Sequence, residues 1–382
     1  MRKFFAKIHL WLSVPLGILV SIICLSGATL VFEQEITRAL DPQLYRVAPP
    51  EGVQPLAPSQ LAARIREQMP DTLKLSSLQL SGDPREACMA GFEGAARRTL
   101  SVNPYTGEVN GWTKKYGFFQ TTRKLHRWLM DAPAAKGQPS IGKGVVGVTT
   151  LLLVVILVSG LAIWVPRTRK ALKQRLKVSC TNGWRRFWYD SHTVLGFYAA
   201  LFLLAMALTG LTWSFGWYRE AAYSLFGGGA QQIAASSLPA KGNSVRPARG
   251  GEGGRGAETA AEPFDYAVWD GVLDELKVRY PVYKTITLNE RNARIVPDPH
   301  TSMRRTDTAR FDPRDGRIEG VDRYRDAPRS QSLRGWFYAF HTGSWGGMTT
   351  KILYFLSALI GGTLPLTGYY LWLKKRRRTA KK

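Results

Sequence analysis

The chain has 382 residues and a formal net charge of +25, with 53 Lys and Arg against 28 Asp and Glu, 45% hydrophobic residues, 37 Gly and three Cys. The length allows two or three ordinary domains. Three Cys are too few for disulfides to hold the fold together, and a basic balance signals nucleic acid only where the cations gather on one folded surface, which their positions here contradict.

In chain order, four segments are long and apolar enough to cross a bilayer: 8–32, 145–165, 190–217 and 352–373. None has a charged side chain in its apolar interior. The first lacks a small-x-small cleavage site and runs straight into Glu33-Gln34-Glu35, which marks a retained helix and not a removed leader. Residues 1–7, the loop 166–189 and the tail 374–382 hold 18 Lys and Arg and no acidic residue. Four crossings put all three stretches on one side, so the positive-inside rule predicts cytoplasmic termini and partners no more specific than anionic lipid head groups. Nucleic acid is not expected.

The segments 33–144 and 218–351 then lie outside the cytoplasm, each large enough for a small α+β domain. In the first, 59–69 has helical spacing, alternating runs follow at 74–80 and 98–102, and Asn103-Pro104-Tyr105-Thr106-Gly107 is a turn between strands. In the second, 267–280 is the helix, Lys284–Glu290 and Ala309–Pro313 read as strands, and Asp312-Pro313-Arg314-Asp315-Gly316 is the equivalent turn. The stretch 227–259 is Gly-, Ala-, Ser- and Arg-rich and reads as a flexible linker. Cys24 falls in a membrane helix, Cys180 in the cytoplasmic loop and Cys88 alone outside, so no cysteine-ligated metal is expected.

The halves match inside the membrane as well. His9 stands 18 residues before Gly27 of Ser26-Gly27, and His192 stands 18 before Gly210 of Thr209-Gly210. The second helix of each half ends alike, Ser159-Gly160 with Trp164 and Thr367-Gly368 with Trp372. Two parallel repeats are therefore expected to pack around an axis along the membrane normal. Small residues at matched positions (Gly17 and Gly196, Gly27 and Gly210, Gly160 and Gly368) allow close helix approach, or simply reflect the abundance of Gly in membrane helices.

Of five His, four stand at membrane boundaries: His9 and His192 on the cytoplasmic side, His126 and His341 on the outer side. His300, in an exported loop, reads as a surface residue. An imidazole pair inside an apolar bundle best fits a haem iron held by two axial His. Zinc normally needs three or four ligands, and a proton relay brings intramembrane carboxylates; the apolar segments supply neither. An 18-residue run rises about 27 Å, so ligands must pair on one face: His9 with His192, and His126 with His341, giving two b-type haems. The other ring nitrogen of each should donate to a carbonyl or hydroxyl. Lys7 and Arg185 inside, and Lys124, Arg127 and Arg334 outside, are candidates to meet haem propionates or are interfacial anchors.

The opening IHLWLSVPLG, the VNPYTGEV and FDPRDGRI turns, KLHRWLM and the four-helix layout together resemble the PepSY-associated transmembrane proteins over nearly the whole chain. Within that family the chain is most similar to FoxB-type ferrisiderophore (ferrioxamine) reductases of the bacterial inner membrane. The family's D-P-Y-T-G-E motif stands here as Asn103-Pro104-Tyr105-Thr106-Gly107-Glu108, while Asp312-Pro313-Arg314-Asp315-Gly316-Arg317 departs at the aromatic and acidic positions. The resemblance implies two PepSY-like periplasmic domains and electron transfer to Fe(III) held by a siderophore, aiding iron release and uptake. A ferric chelate would rest between the exported domains, where Trp112, Tyr116, Trp336, Tyr338 and Trp345 line a cleft or form an interfacial belt. With no GxGxxG fingerprint in the chain, the donor must be separate, quinol or a reductase. Two alternatives carry no redox role: a membrane-anchored PepSY binding or inhibitory module, and a siderophore permease with Pro365 as its one candidate helix break.

Overall fold

The computed structural model describes residues 1–95, 98–135, 138–166, 168–227, 264–298 and 305–379. His300 and all of the expected linker except Gly227 lie outside the described residues. Helices and strands run in the order α1 (Arg2–Val31), α2 (Glu33–Leu40), α3 (Pro58–Gln68), β1 (Leu75–Ser81), β2 (Cys88–Phe92), β3 (Thr99–Val102), β4 (Val109–Trp112), α4 (Gly117–Trp128), α5 (Ile141–Trp164), α6 (Arg169–Arg175), α7 (Trp184–Ser214) and α8 (Gly216–Leu225). The second half continues with α9 (Val268–Arg279), β5 (Thr285–Asn289), β6 (Asn292–Val296), β7 (Asp307–Phe311), β8 (Ile318–Asp322), α10 (Arg329–Thr342) and α11 (Gly347–Thr379). The chain divides into two compact units, one of helices and one built on a sheet.

In the helical unit, the four expected apolar segments lie on α1, α5, α7 and α11, each long and apolar enough to cross a membrane. Both α1 and α7 begin well before their apolar stretches, because no Gly or Pro breaks them there; α7 starts only after Gly183, at φ +79°. Pro15 and Pro365 are each accommodated within a continuous helix, so the candidate break at Pro365 does not interrupt α11. Close to both prolines, the Tyr369 hydroxyl on α11 donates to the Val14 carbonyl of α1 at 2.7 Å. Helix α1 packs against α5 and α11, and α7 packs against the same two, so α1 and α7 are diagonal partners across the bundle. Val20 and Cys24 of one meet Ala199 and Leu203 of the other in a buried mid-bundle cluster with Leu157. Gly361 permits this packing: a Cβ there would lie 2.7 Å from Leu203 Cδ2 and 3.2 Å from Cys24 Sγ. Cations serve the open end of α5, where the Arg2 guanidinium donates to the Val165 carbonyl and Arg175 to those of Ile163 and Trp164.

The other unit joins 40–114 to 223–333. Its eight strands form one antiparallel sheet in the order β4-β3-β2-β1-β5-β6-β7-β8, with β1 and β5 paired directly from Ser77↔Asn289 to Ser81↔Thr285. The two segments, each expected to fold as a small domain of its own, therefore share one sheet and one core. The reason is visible in the side chains: Leu61 and Ile65 of α3, Trp269, Val272 and Leu276 of α9, and Leu78, Leu100, Ile286 and Ile295 of the strands are all fully buried in one cluster. A four-stranded half covered by one helix would leave an unpaired edge at β1 or β5. The helices are tied together where the Ser59 backbone N–H and hydroxyl donate to the Asp270 carboxylate at 2.8 and 2.5 Å.

The expected turns take one form in both halves. The Asn103 and Asp312 side chains each accept from the backbone N–H two residues on at 2.9 Å, and Gly107 and Gly316 adopt φ of +75° and +76°. The positions where the second copy departs from the motif are not those that build the turn. Tyr105 instead donates its hydroxyl to the Pro84 carbonyl at 2.8 Å.

Trp269 is wholly buried, and its indole N–H donates to the Asn289 carbonyl at 3.1 Å. Trp269→Ala should cost about 3–5 kcal/mol. Cys88 is a built-in reporter, since burial pushes its thiol up to about 12 and keeps it unreactive while the sheet is closed. Alkylation of Cys88 at pH 8 should begin at distinctly lower urea in the variant than in the wild-type chain.

Candidate functional site

The four boundary histidines come together in the two pairs their spacing predicts. The His9 and His192 ring centres are 6.4 Å apart with planes at 86°, and those of His126 and His341 are 6.2 Å apart at 50°. His9 and His192 sit near the N-terminal ends of the diagonal helices α1 and α7. The other pair comes from α4 and α10, which precede α5 and α11 and place their rings at the opposite ends of α1 and α7.

Each ring is seated in the same way on a neighbouring helix. His9 Nδ1 lies 3.0 Å from the Ile156 carbonyl and 3.3 Å from Ser159 Oγ on α5. His126 Nδ1 lies 2.9 Å from the Ile23 carbonyl and 3.3 Å from Ser26 Oγ on α1. His341 Nδ1 lies 2.9 Å from the Met206 carbonyl and 3.3 Å from Thr209 Oγ1 on α7. On α11, His192 Nδ1 lies 2.8 Å from Thr367 Oγ1. The glycine after each hydroxyl residue makes room for the ring: a Cβ on Gly160, Gly27, Gly210 or Gly368 would lie 3.2, 2.9, 3.1 or 3.5 Å from the Cε1 of its histidine. These four Ser/Thr-Gly pairs mark matched positions in the sequence, but their role as seats for the histidines emerges only from the packing.

The seat also fixes the tautomer. Ser159 donates its proton to the Ile156 carbonyl at 2.9 Å, Ser26 to Ile22 at 2.6 Å, Thr209 to Ala205 at 2.6 Å and Thr367 to Leu364 at 2.8 Å. A hydroxyl whose proton serves its own helix can only accept from the imidazole, so each Nδ1 carries the hydrogen and donates. That assignment comes from the hydrogen-bond network. It leaves Nε2 of all four rings as a lone pair with no hydrogen-bond partner among the described residues.

Two basic nitrogens held this way suit a shared metal ion. At metal–imidazole bonds of about 2.0–2.1 Å, two rings bound to opposite sides of one ion have centres roughly 6.3 Å apart. No group of three or more His, Cys, Asp and Glu side chains gathers to hold a metal among the described residues. Each pair thus provides two ligands, and a metal bound there must bring the rest. The His9 pair has a further open group nearby: Trp164, one turn beyond Gly160, stacks on Phe197 with ring centres 3.6 Å apart and keeps its indole N–H buried without a partner among the described residues. At the other pair, Trp213 packs edge-on to His341, ring centres 5.1 Å apart.

The candidate cations Lys7, Arg185, Lys124, Arg127 and Arg334 are all exposed, and Arg127 lies 4.3 Å over the Trp128 ring. The aromatic group expected between exported domains divides. Trp112 is half-buried on the edge strand β4 and packs against the sheet core, 5.5 Å from the Phe92 ring, while the bonded β1–β5 seam leaves no gap between the halves of the sheet. Trp336 and Trp345 instead sandwich Phe340 beside α10, at 5.6 and 5.4 Å.

Without any bound metal, the chain should show all four boundary imidazoles as the Nδ1–H tautomer. Nitrogen-15 solid-state NMR of histidine-labelled His300→Gln protein reads this directly: four protonated Nδ1 and four unprotonated Nε2 resonances at pH 7. Thr367→Val should release the His192 tautomer alone.

A family model for the PepSY-associated TM region matches residues 6–375 of the chain. No curated protein matches it.

Proposed function

The chain belongs to the PepSY-associated TM family, and from that premise we propose that it is a di-haem oxidoreductase of the bacterial inner membrane that reduces Fe(III) held by a siderophore. The observation that carries the reading is the pair of facing imidazole couples, 6.4 and 6.2 Å between ring centres, each ring with Nε2 basic. Haem fits this donor set, because it brings four nitrogens of its own and needs only two from the protein. His9 and His192 would hold one group, His126 and His341 the other, and each would supply a one-electron couple.

The residues of the chain do the rest. Ser159, Ser26, Thr209 and Thr367, with their helix carbonyls, orient the rings and raise the basicity of Nε2. The Trp164 N–H, one turn beyond the Gly160 seat of His9 and without a partner among the described residues, is a donor left open for an acceptor on a group held there. Val20, Cys24, Leu157, Ala199 and Leu203 fill the middle of the bundle and exclude water between the two sites. The recurrence of one histidine seat four times, on α5, α1, α11 and α7, supports the reading of two parallel halves.

The substrate step adds one electron to chelated Fe(III) and gives Fe(II), which the hard oxygen donors of a siderophore hold less tightly. The electron comes from quinol or from a separate reductase. The three basic stretches favour cytoplasmic termini, which leaves the sheet unit on the periplasmic side with the chelate.

Pyridine haemochrome assay of the detergent-purified chain should give close to two haems per polypeptide, with low-spin bands in the reduced spectrum. His192→Ala and His341→Ala should each lower the ratio to about one. A ratio near zero in well-folded protein would remove the redox reading and favour an anchored binding module. Orientation has its own test. Cys180 is exposed and the other two Cys are buried, so a membrane-impermeant maleimide should label inverted vesicles and spare intact spheroplasts.

A further inference from the structure

The sheet unit holds a cleft that the reading above does not use. It has a volume of about 750 Å³ and lies at the β6–β7–β8 end, between the last turn of α9 and the segment after β8. That size is in the range of small-molecule sites. Four arginines line it, Arg279, Arg305, Arg323 and Arg325, against two acids, Asp298 and Asp307.

Asp307 is not available to a cation. It is buried, and its two oxygens accept from the Tyr280 hydroxyl and the Tyr324 backbone N–H, both at 2.8 Å. Tyr280 stays a neutral donor, its hydroxyl pushed up to about 12 by burial first and by Asp307 second. Arg279 is paired with Glu275 on its own helix. Arg323 and Arg325 flank Tyr324, are exposed, and form no ion pair among the described residues. Among the described residues four guanidiniums at the cleft meet three carboxylates, Glu275, Asp298 and Asp307, so the net charge there is positive, and guanidinium forks match carboxylate and other oxyanion geometry. The tyrosine rings and Pro297 give the cleft flat apolar walls.

We propose that this cleft binds an anionic, oxygen-rich metal chelate of the polycarboxylate class, with Arg323 and Arg325 as its charge-recognising residues. The inference rests on the ferric-chelate reading and narrows its substrate: a cationic trihydroxamate complex is disfavoured here.

The test separates binding from electron transfer by using gallium(III), which takes the place of Fe(III) and is not reduced under these conditions. Isothermal titration of the full-length chain in detergent should show binding of Ga(III) citrate that weakens with salt, and at least tenfold weaker binding of the cationic Ga(III) trihydroxamate. Arg323→Gln/Arg325→Gln should weaken the citrate complex at least tenfold and leave haem content and thermal unfolding unchanged, whereas Arg66→Glu on α3 should change nothing. Equal affinity for the two gallium complexes, or an unaffected double variant, would overturn the assignment. A haem-free chain that still binds Ga(III) citrate would sink the redox reading and keep the cleft. A di-haem chain that ignores it would do the reverse.

Discussion

Everything at the two histidine sites depends on each Nδ1 meeting acceptors only, a helix hydroxyl at all four rings and a backbone carbonyl at three. On each seat a Ser or Thr in mid-helix turns its O–H back to a carbonyl three or four residues earlier, a bond that any such residue in an apolar helix will make. The oxygen is then an acceptor only, and the imidazole that reaches it must donate from Nδ1. A neutral imidazole has one hydrogen, so this choice fixes Nε2 as the base. Glycine at the next position lets the ring come close enough for the choice to be enforced. At His9, His126 and His341 a backbone carbonyl 2.9–3.0 Å from Nδ1 demands the same hydrogen, while at His192 the Thr367 hydroxyl makes the choice, and a hydroxyl free to donate would leave either tautomer open there.

The bundle order turns these local seats into two sites. Helices α1 and α7 are diagonal, and each carries a histidine near one end and a seat for another near the other. Along α1, His9 and Ile23 are 14 residues apart, roughly 21 Å of helix rise. A histidine on one diagonal helix leans on the helix beside it, and its ring meets the ring that the opposite diagonal helix holds in the same fashion. The aliphatic cluster between the sites keeps the diagonals at a fixed distance, so changes there would alter both pairs together.

Much of this was legible in the sequence because membrane helices restrict what residues can do. The apolar runs, their order and the boundary histidines needed only rise per residue to predict the pairing of His9 with His192 and of His126 with His341. The seats were half legible: Ser26-Gly27 and its three counterparts stood out by matched position, yet glycine is common in such helices and nothing local says that Gly27 faces an imidazole from α4. In the sheet unit, the helices and turns were readable from period and Asx chemistry. The joining of β1 to β5 was not, since strand pairing between residues some 200 apart leaves no periodic trace. The same blindness set Trp112 in a cleft or an interfacial belt, whereas it packs half-buried against the sheet core.

That β1–β5 seam has a consequence for how the halves depend on each other. Each half ends its own meander on a strand rich in Leu, Ile, Thr and Ser, with a full row of backbone donors and acceptors on its inner edge. Such an edge is a template for any extended chain that meets it. In the folded protein the template is filled by the same kind of strand from the other half, run in the opposite direction with Leu78 beside Leu288. Each half is thus the stopper for the other, and the protein guards its most adhesive surface by turning it on itself.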